Sequence, residues 1–178
     1  MRLQALGGTA HWPLLALTLA AATNEVALTW SSFFAVLLIS LGFNTFGYLM
    51  NDLADQEIDR LDPARLAHPL HSGVLSAQSI RWLMWVQLPI VFALHQAAGF
   101  TPQSGLCLLF GLLCLAFYNY NSKSCKWPFL MDGLLGLSAA SLVLFGGQAL
   151  DPSLELGAQV ELIEAADVQS AQAVLLNF

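Results

Sequence analysis

Residues 30–59 read WSSFFAVLLISLGFNTFGYLMNDLADQEID. The first 21 of them carry no charge. At 1.5 Å rise per residue, such a run spans a hydrocarbon core of about 30 Å as a helix. The run then meets Asn51-Asp52-Leu53-Ala54-Asp55-Gln56-Glu57-Ile58-Asp59, which holds four of the chain's 12 acidic residues. Acid this dense at the end of an apolar helix has three candidate explanations: a metal site, a solvated helix end, or a charge cap that fixes topology.

The composition extends this reading to the whole chain. Of 178 residues, 57% are hydrophobic and 10% charged, with a mean hydropathy of +0.64. Soluble domains carry about 25% charged residues. The apolar runs are long rather than alternating, which selects helices over a barrel. The predicted fold is therefore all-α, a multi-pass transmembrane bundle of about five spans. These lie near residues 3–22, 30–50, 82–98, 105–118 and 129–149. Pro89 predicts a kink in the third. Residues 1–150 form the membrane domain and residues 151–178 a tail with five acids, no base and no run long enough to span.

The net charge of −6 without a basic patch excludes nucleic acid as a partner class. Cys107, Cys114 and Cys125 lack metal-ligand or redox spacing and read as packing residues. Every Lys and Arg falls at the N-terminus or in the two loops that five spans place on one side. These are Arg2, then Arg60, Arg65 and Arg81, then Lys123 and Lys126. The positive-inside tendency predicts that this side, with the acidic motif, faces the cytoplasm.

Continued as a helix, the motif places Asp52, Asp55 and Asp59 within about 60° of one another, while Glu57 points about 140° away. Like charges on one face repel unless a cation sits among them. Carboxylates with water and phosphate oxygens suit Mg²⁺. That geometry points to a divalent metal and a phosphorylated substrate at the membrane surface. Gly42, Asn44, Thr45 and Gly47 mark a stretch for close helix packing. Asn44 needs a partner: either an amide contact between helices or a polar cavity.

The pattern Asn51-Asp52-x-x-Asp55-x-x-x-Asp59 resembles the first aspartate-rich motif of the UbiA superfamily of intramembrane prenyltransferases. The resemblance continues through Pro63, Arg65, His68-Pro69-Leu70-x-Ser72-Gly73 and Ser76, then Tyr118-x-Tyr120-x-x-Lys123 and Gly136. It covers about residues 10–149, and implies the N-terminal half of a nine-helix fold. It further implies Mg²⁺-dependent transfer of a prenyl group from a polyprenyl diphosphate to an acceptor, a small molecule (often aromatic) or a lipid. By this resemblance Asp52, Asp55 and Asp59 are metal ligands supported by Asn51. Arg65, Tyr118, Lys123 and Lys126 then bind substrate.

Two departures stand out. His68 occupies a position where family members often have Arg. The family's second aspartate-rich motif, after a sixth span, has no counterpart here. Asp132 stands alone and reads as a residue near a helix start. Glu161, Glu164 and Asp167 fall on the opposite side of five spans from Asp52. Two outcomes stay open at this point. One is transfer, with a second chain completing the site. The other is an inactive truncated relative, or a membrane protein that only binds isoprenoid diphosphate.

Overall fold

The computed structural model describes residues 2–150 except 25, 66, 67 and 123, with side chains from residue 11 onward. The acidic tail and Lys123 therefore lie outside the described residues. All regular structure among the described residues is helical: α1 (Arg2–Thr23), α2 (Trp30–Ala54), α3 (Gln56–Asp59), α4 (Ala77–Ala97), α5 (Pro102–Asn121) and α6 (Pro128–Gln148). A single 3₁₀ turn, Pro63–Arg65, interrupts the loop before α4.

The five long helices match the five predicted spans in number and order. Among the described residues, α2, α5 and α6 are long and apolar enough to cross a membrane by length and composition. The helix starts are written locally. Thr29, Ser76 and Thr101 each accept a hydrogen bond from the backbone N–H three residues on, capping α2, α4 and α5. Pro102 and Pro128 stand at helix starts, where a missing N–H is harmless. The Ser76 cap starts α4 five residues before the apolar run. The helix continues through Pro89 without interruption.

Packing closes a ring. Helix α2 lies against α1 and α5, and α6 lies against the other side of both; α4 packs on the outside of α2. Leu17, Val36, Ile39, Leu108 and Phe145 are fully buried at the centre. The small residues do what their spacing implies. A Cβ at Gly42 would come within 2.6 Å of Val91 on α4, and one at Gly47 within 2.6 Å of Leu115 on α5. Outward faces remain apolar: Trp82 is 63% exposed and Leu113 60%. Such faces suit lipid as solvent rather than water.

At the end of the bundle away from the motif, the turn between α4 and α5 is locked by side chains. Thr101 Oγ1 donates to the Gln148 carbonyl at 2.8 Å, tying the start of α5 to the end of α6. The Ser104 hydroxyl lies 2.8 Å from the Thr101 carbonyl and 2.9 Å from Nε2 of buried His95, with which it shares a hydrogen bond.

Candidate functional site

The acidic motif does not continue α2 as an unbroken helix. Helix α2 ends at Ala54; Asp55 is its C-cap, with φ −90° and ψ 0°, and α3 starts at Gln56. Helix-type hydrogen bonds nevertheless flank the break: Asp55 N–H to the Asn51 carbonyl at 2.9 Å, and Asp59 N–H to the Asp55 carbonyl at 2.8 Å. The helix is relaxed at one residue, not abandoned. The break falls at an Asp that follows Asn51-Asp52, residue types that favour helix ends over interiors.

Each acid of the predicted stripe has acquired a partner. Asn51 Nδ2 donates to Asp55 Oδ2 at 3.0 Å. Arg65 Nη1 pairs with Asp59 Oδ2 at 3.3 Å. His68 Nε2 lies 3.6 Å from Asp52 Oδ2. Asp52 is only 8% exposed, so a basic partner offsets part of its desolvation. Glu57 points to solvent, as its position in the helix predicts. The loop that brings Arg65 and His68 back is anchored by buried Leu70 and turned at Gly73, whose φ of +80° favours glycine. The groups that meet the acidic stripe are thus the protein's own: an amide, a guanidinium and an imidazole. Among the described residues, no three His, Cys, Asp or Glu side chains are grouped so that they could hold a metal ion. The donor set still fits Mg²⁺, which usually takes one or two carboxylates and fills its shell with water and phosphate oxygens.

Beneath the motif, inside the ring of α1, α2, α5 and α6, lies a cavity of about 540 Å³. Its walls are Trp12 and Pro13 from α1, and Phe43, Asn44, Gly47, Tyr48 and Asn51 from α2. Leu115, Tyr118 and Asn119 from α5, and Leu135, Ser138, Ala139, Leu142 and Val143 from α6, complete it. That volume is in the range of small-molecule sites. The polar residues of α2, Asn44, Tyr48 and Asn51, recur at helical spacing and climb one wall toward the acids. Asn44 is thus part of a polar cavity wall, and its Nδ2 also donates to the Ser40 carbonyl at 2.8 Å. Asn51 belongs to both places: it lines the cavity and holds Asp55.

The sequence-predicted residues distribute as follows. Asn51, Asp52, Asp55, Asp59 and Arg65 are gathered at the end of α2. Tyr118 stands on the cavity wall instead of among the acids. Lys126 is exposed just before α6, and Asp132 is exposed one turn inside that helix. Sequence reading missed Trp12, Phe43 and Ser138 as cavity residues, because an apolar or small residue within a span carries no local mark of facing a chamber. Asn119 had such a mark, an amide beside the second polar loop. It is buried at 3% exposure, and one of its amide protons goes to the Leu115 carbonyl at 2.9 Å.

Comparison with known proteins now has a geometry to bear on. The model of the UbiA prenyltransferase family matches residues 10–176. The match runs past residue 149, where the visible resemblance stopped, into the acidic tail. No curated protein matches the sequence. Among solved structures, the apo structure of a UbiA homolog from Aeropyrum pernix K1 superposes with a TM-score of 0.65 at 23% identity. The match covers 88% of this chain and 55% of that one, so the chain spans about half the length of that relative.

Proposed function

The chain belongs to the UbiA prenyltransferase family, and on that premise we propose that it binds an isoprenoid diphosphate at the acidic motif and transfers its prenyl group to an acceptor in the cavity. In this reading the diphosphate sits at the end of α2, on the cytoplasmic side, and the prenyl chain enters the apolar ring. The observation that carries the proposal is the double role of Asn51, which links a cluster of acids to an uncharged chamber through one side chain.

The chemistry divides along that boundary. The bond between the allylic carbon and the diphosphate oxygen breaks, and its electron pair leaves with the oxygen. A nucleophilic atom of the acceptor bonds to that carbon and releases a proton. Prenylated acceptor and inorganic diphosphate result. Asp52 and Asp55 would hold Mg²⁺, which neutralises charge on the departing diphosphate when bound. Asn51 fixes the carboxylate of Asp55. Arg65 is carried by Asp59 to the site and turns its remaining N–H donors toward phosphate oxygens. Asp59 would hold the metal as a further ligand once Arg65 engaged the substrate. Lys126, in the loop after α5, adds positive charge at the same end, and Lys123 is assigned to diphosphate binding by its place in the family's tyrosine–lysine motif. The apolar wall from Phe43 to Leu142 excludes water from the allylic cation.

A second reading, binding without transfer, is favoured by one specific observation. Among the described residues, no acid lines the cavity opposite the motif. A second chain facing α6 would restore that side. The two readings separate when the full chain, in lipid nanodiscs with Mg²⁺, is given a labelled polyprenyl diphosphate and a panel of acceptors. Transfer establishes the first; binding without transfer leaves the second. In either case Asp55→Ala should weaken Mg²⁺-dependent diphosphate binding at least about tenfold. Unchanged binding would remove the motif from the site.

A further inference from the structure

Each acid at the end of α2 faces a different kind of neighbour, and one of those neighbours can itself bind a metal. Asn51 turns an amide proton toward Asp55, and Arg65 brings Asp59 N–H donors without a lone pair. His68 differs, because a neutral imidazole nitrogen is a direct metal ligand. Its Nε2 stands 3.6 Å from Oδ2 of Asp52, a residue 8% exposed. We propose that His68 Nε2 and Asp52 Oδ2 hold one divalent ion between them, so that the diphosphate site takes a first-row transition ion in preference to Mg²⁺. The proposal rests on the diphosphate-binding reading above and specifies the ion that accompanies the diphosphate.

The spacing is the first support. At 3.6 Å the two atoms are farther apart than in an N–H···O hydrogen bond, which measures about 2.7–3.2 Å. Two ligands each about 2.1 Å from an ion, at right to tetrahedral angles, stand about 3.0–3.4 Å apart. A small closing movement of the two side chains therefore brings both onto one ion. The second support is that residue 68 is held in place. Its N–H donates to the Arg65 carbonyl at 2.9 Å, and its carbonyl accepts from the N–H groups of His71 and Ser72 at 2.8 and 2.9 Å. Buried Leu70 anchors the same turn. Ligands on a fixed backbone lose little freedom on binding. The third support is the company of the ring. His71 lies beside it, with centroids 5.8 Å apart. Its Nδ1 is screened from water and has no hydrogen-bond partner among the described residues. Two imidazoles at one corner of the site are a donor chemistry that suits transition ions, whereas Mg²⁺ selects oxygen.

Two side chains do not enclose an ion by themselves. The rest of the shell comes from diphosphate oxygens and water, so ion and diphosphate bind together. Mg²⁺ gains nothing from the ring nitrogen. A transition ion gains one bond, and along the first row that gain grows from Mn²⁺ to Co²⁺ and Ni²⁺.

The test uses the full chain in nanodiscs with farnesyl thio-diphosphate, a non-reactive analogue of a prenyl donor. Equilibrium dialysis gives the concentration of Co²⁺ or Mg²⁺ that half-saturates analogue binding. The expected result is a Co²⁺ requirement at least about tenfold below that for Mg²⁺. His68→Gln should raise the Co²⁺ requirement about tenfold and leave that for Mg²⁺ within about threefold. Equal shifts for both ions would make His68 a partner of Asp52 only and overturn the proposal. A second readout needs no variant. With Mn²⁺ and the analogue bound, pulsed electron paramagnetic resonance should show the nitrogen-14 modulation of a directly bound imidazole, altered when the protein is made with nitrogen-15 histidine. His68→Gln should abolish that modulation and His71→Gln should retain it. Absence of nitrogen modulation in the parent chain, or its persistence in folded His68→Gln, overturns the assignment while leaving the diphosphate site standing. If the analogue binds with neither Mg²⁺ nor Co²⁺, the diphosphate reading falls, and the ion assignment falls with it.

Discussion

Gly146→Ala probes the closure of the helix ring that makes the cavity. A Cβ built at Gly146 falls on the Pro13 carbonyl, 2.7 Å from its carbon and 2.8 Å from Cα of Pro13. These are backbone atoms of a fully buried residue, so no rotamer change relieves the overlap. Helices α1 and α6 must separate. Overpacking of this kind costs about 1–3 kcal/mol. The same substitution recovers about 0.5–1 kcal/mol, because Ala is the better helix former. An overlap with backbone belongs to the upper part of the overpacking range, about 2–3 kcal/mol, so the net is a destabilisation of about 1–2.5 kcal/mol. For a chain of this length that lowers the melting temperature by about 2–10 °C. Gly136→Ala is the matched control on the same helix, since a Cβ there meets nothing within 4 Å. It should leave stability unchanged or raise it by up to about 1 kcal/mol. Thermal unfolding in detergent, followed by circular dichroism, reads both. Equal melting temperatures for Gly146→Ala and the parent chain, or an equal fall for Gly136→Ala, would refute the close approach of α1 to α6. Because Pro13 also lines the cavity, the separated helices should bind prenyl diphosphate more weakly.

Two other substitutions address the two ends of the bundle. Arg65→Gln breaks a half-exposed ion pair, so stability should fall by less than about 1 kcal/mol. Diphosphate affinity should fall about tenfold as the guanidinium fork is lost; a large stability loss with unchanged affinity would make Arg65 structural only. Ser104→Ala removes the hydroxyl that meets Nε2 of His95, which is 1% exposed. That should cost about 1–3 kcal/mol in a thermal melt while diphosphate binding stays as it was, because the motif is at the other end of the bundle. Recovery of stability in the His95→Phe, Ser104→Ala double variant would identify the orphaned ring nitrogen as the cause.

Helices α2, α4, α5 and α6 were legible because each comes from a long apolar run with a Ser, Thr or Pro at its start. The glycines were legible for the same local reason: Gly42 and Gly47 sit in a span where small residues let helices approach. The motif was legible as chemistry but not as shape. Periodicity alone continues α2 through Asp59, whereas the chain relaxes at Asp55. Nothing in a helical wheel registers that Asn51 and Asp55 can satisfy one another and share the helix end. Nor does sequence spacing show that Arg65 folds back onto Asp59, since that depends on where Leu70 finds a buried place. The cavity was least legible. Trp12 and Ser138 are more than a hundred residues apart and meet only because α6 returns to lie against α1.

Charge and apolar space are separated here more sharply than burial alone requires. Met50 is 6% exposed and Asp52 is 8%, so the two are nearly equally withdrawn from water. What differs is the company. Asp52 has His68 within 3.6 Å, while Met50 joins the apolar core. The boundary between diphosphate chemistry and prenyl chemistry is therefore set by partners, not by depth. Asn51 stands between them as an uncharged polar group that faces both sides. An aspartate in its place would put an ion into a cavity wall that holds none and would lose the amide proton on Asp55. An alanine would keep the wall neutral but release that carboxylate. Only an uncharged donor serves both constraints, and this makes the first residue of the motif as informative as the acids that follow it.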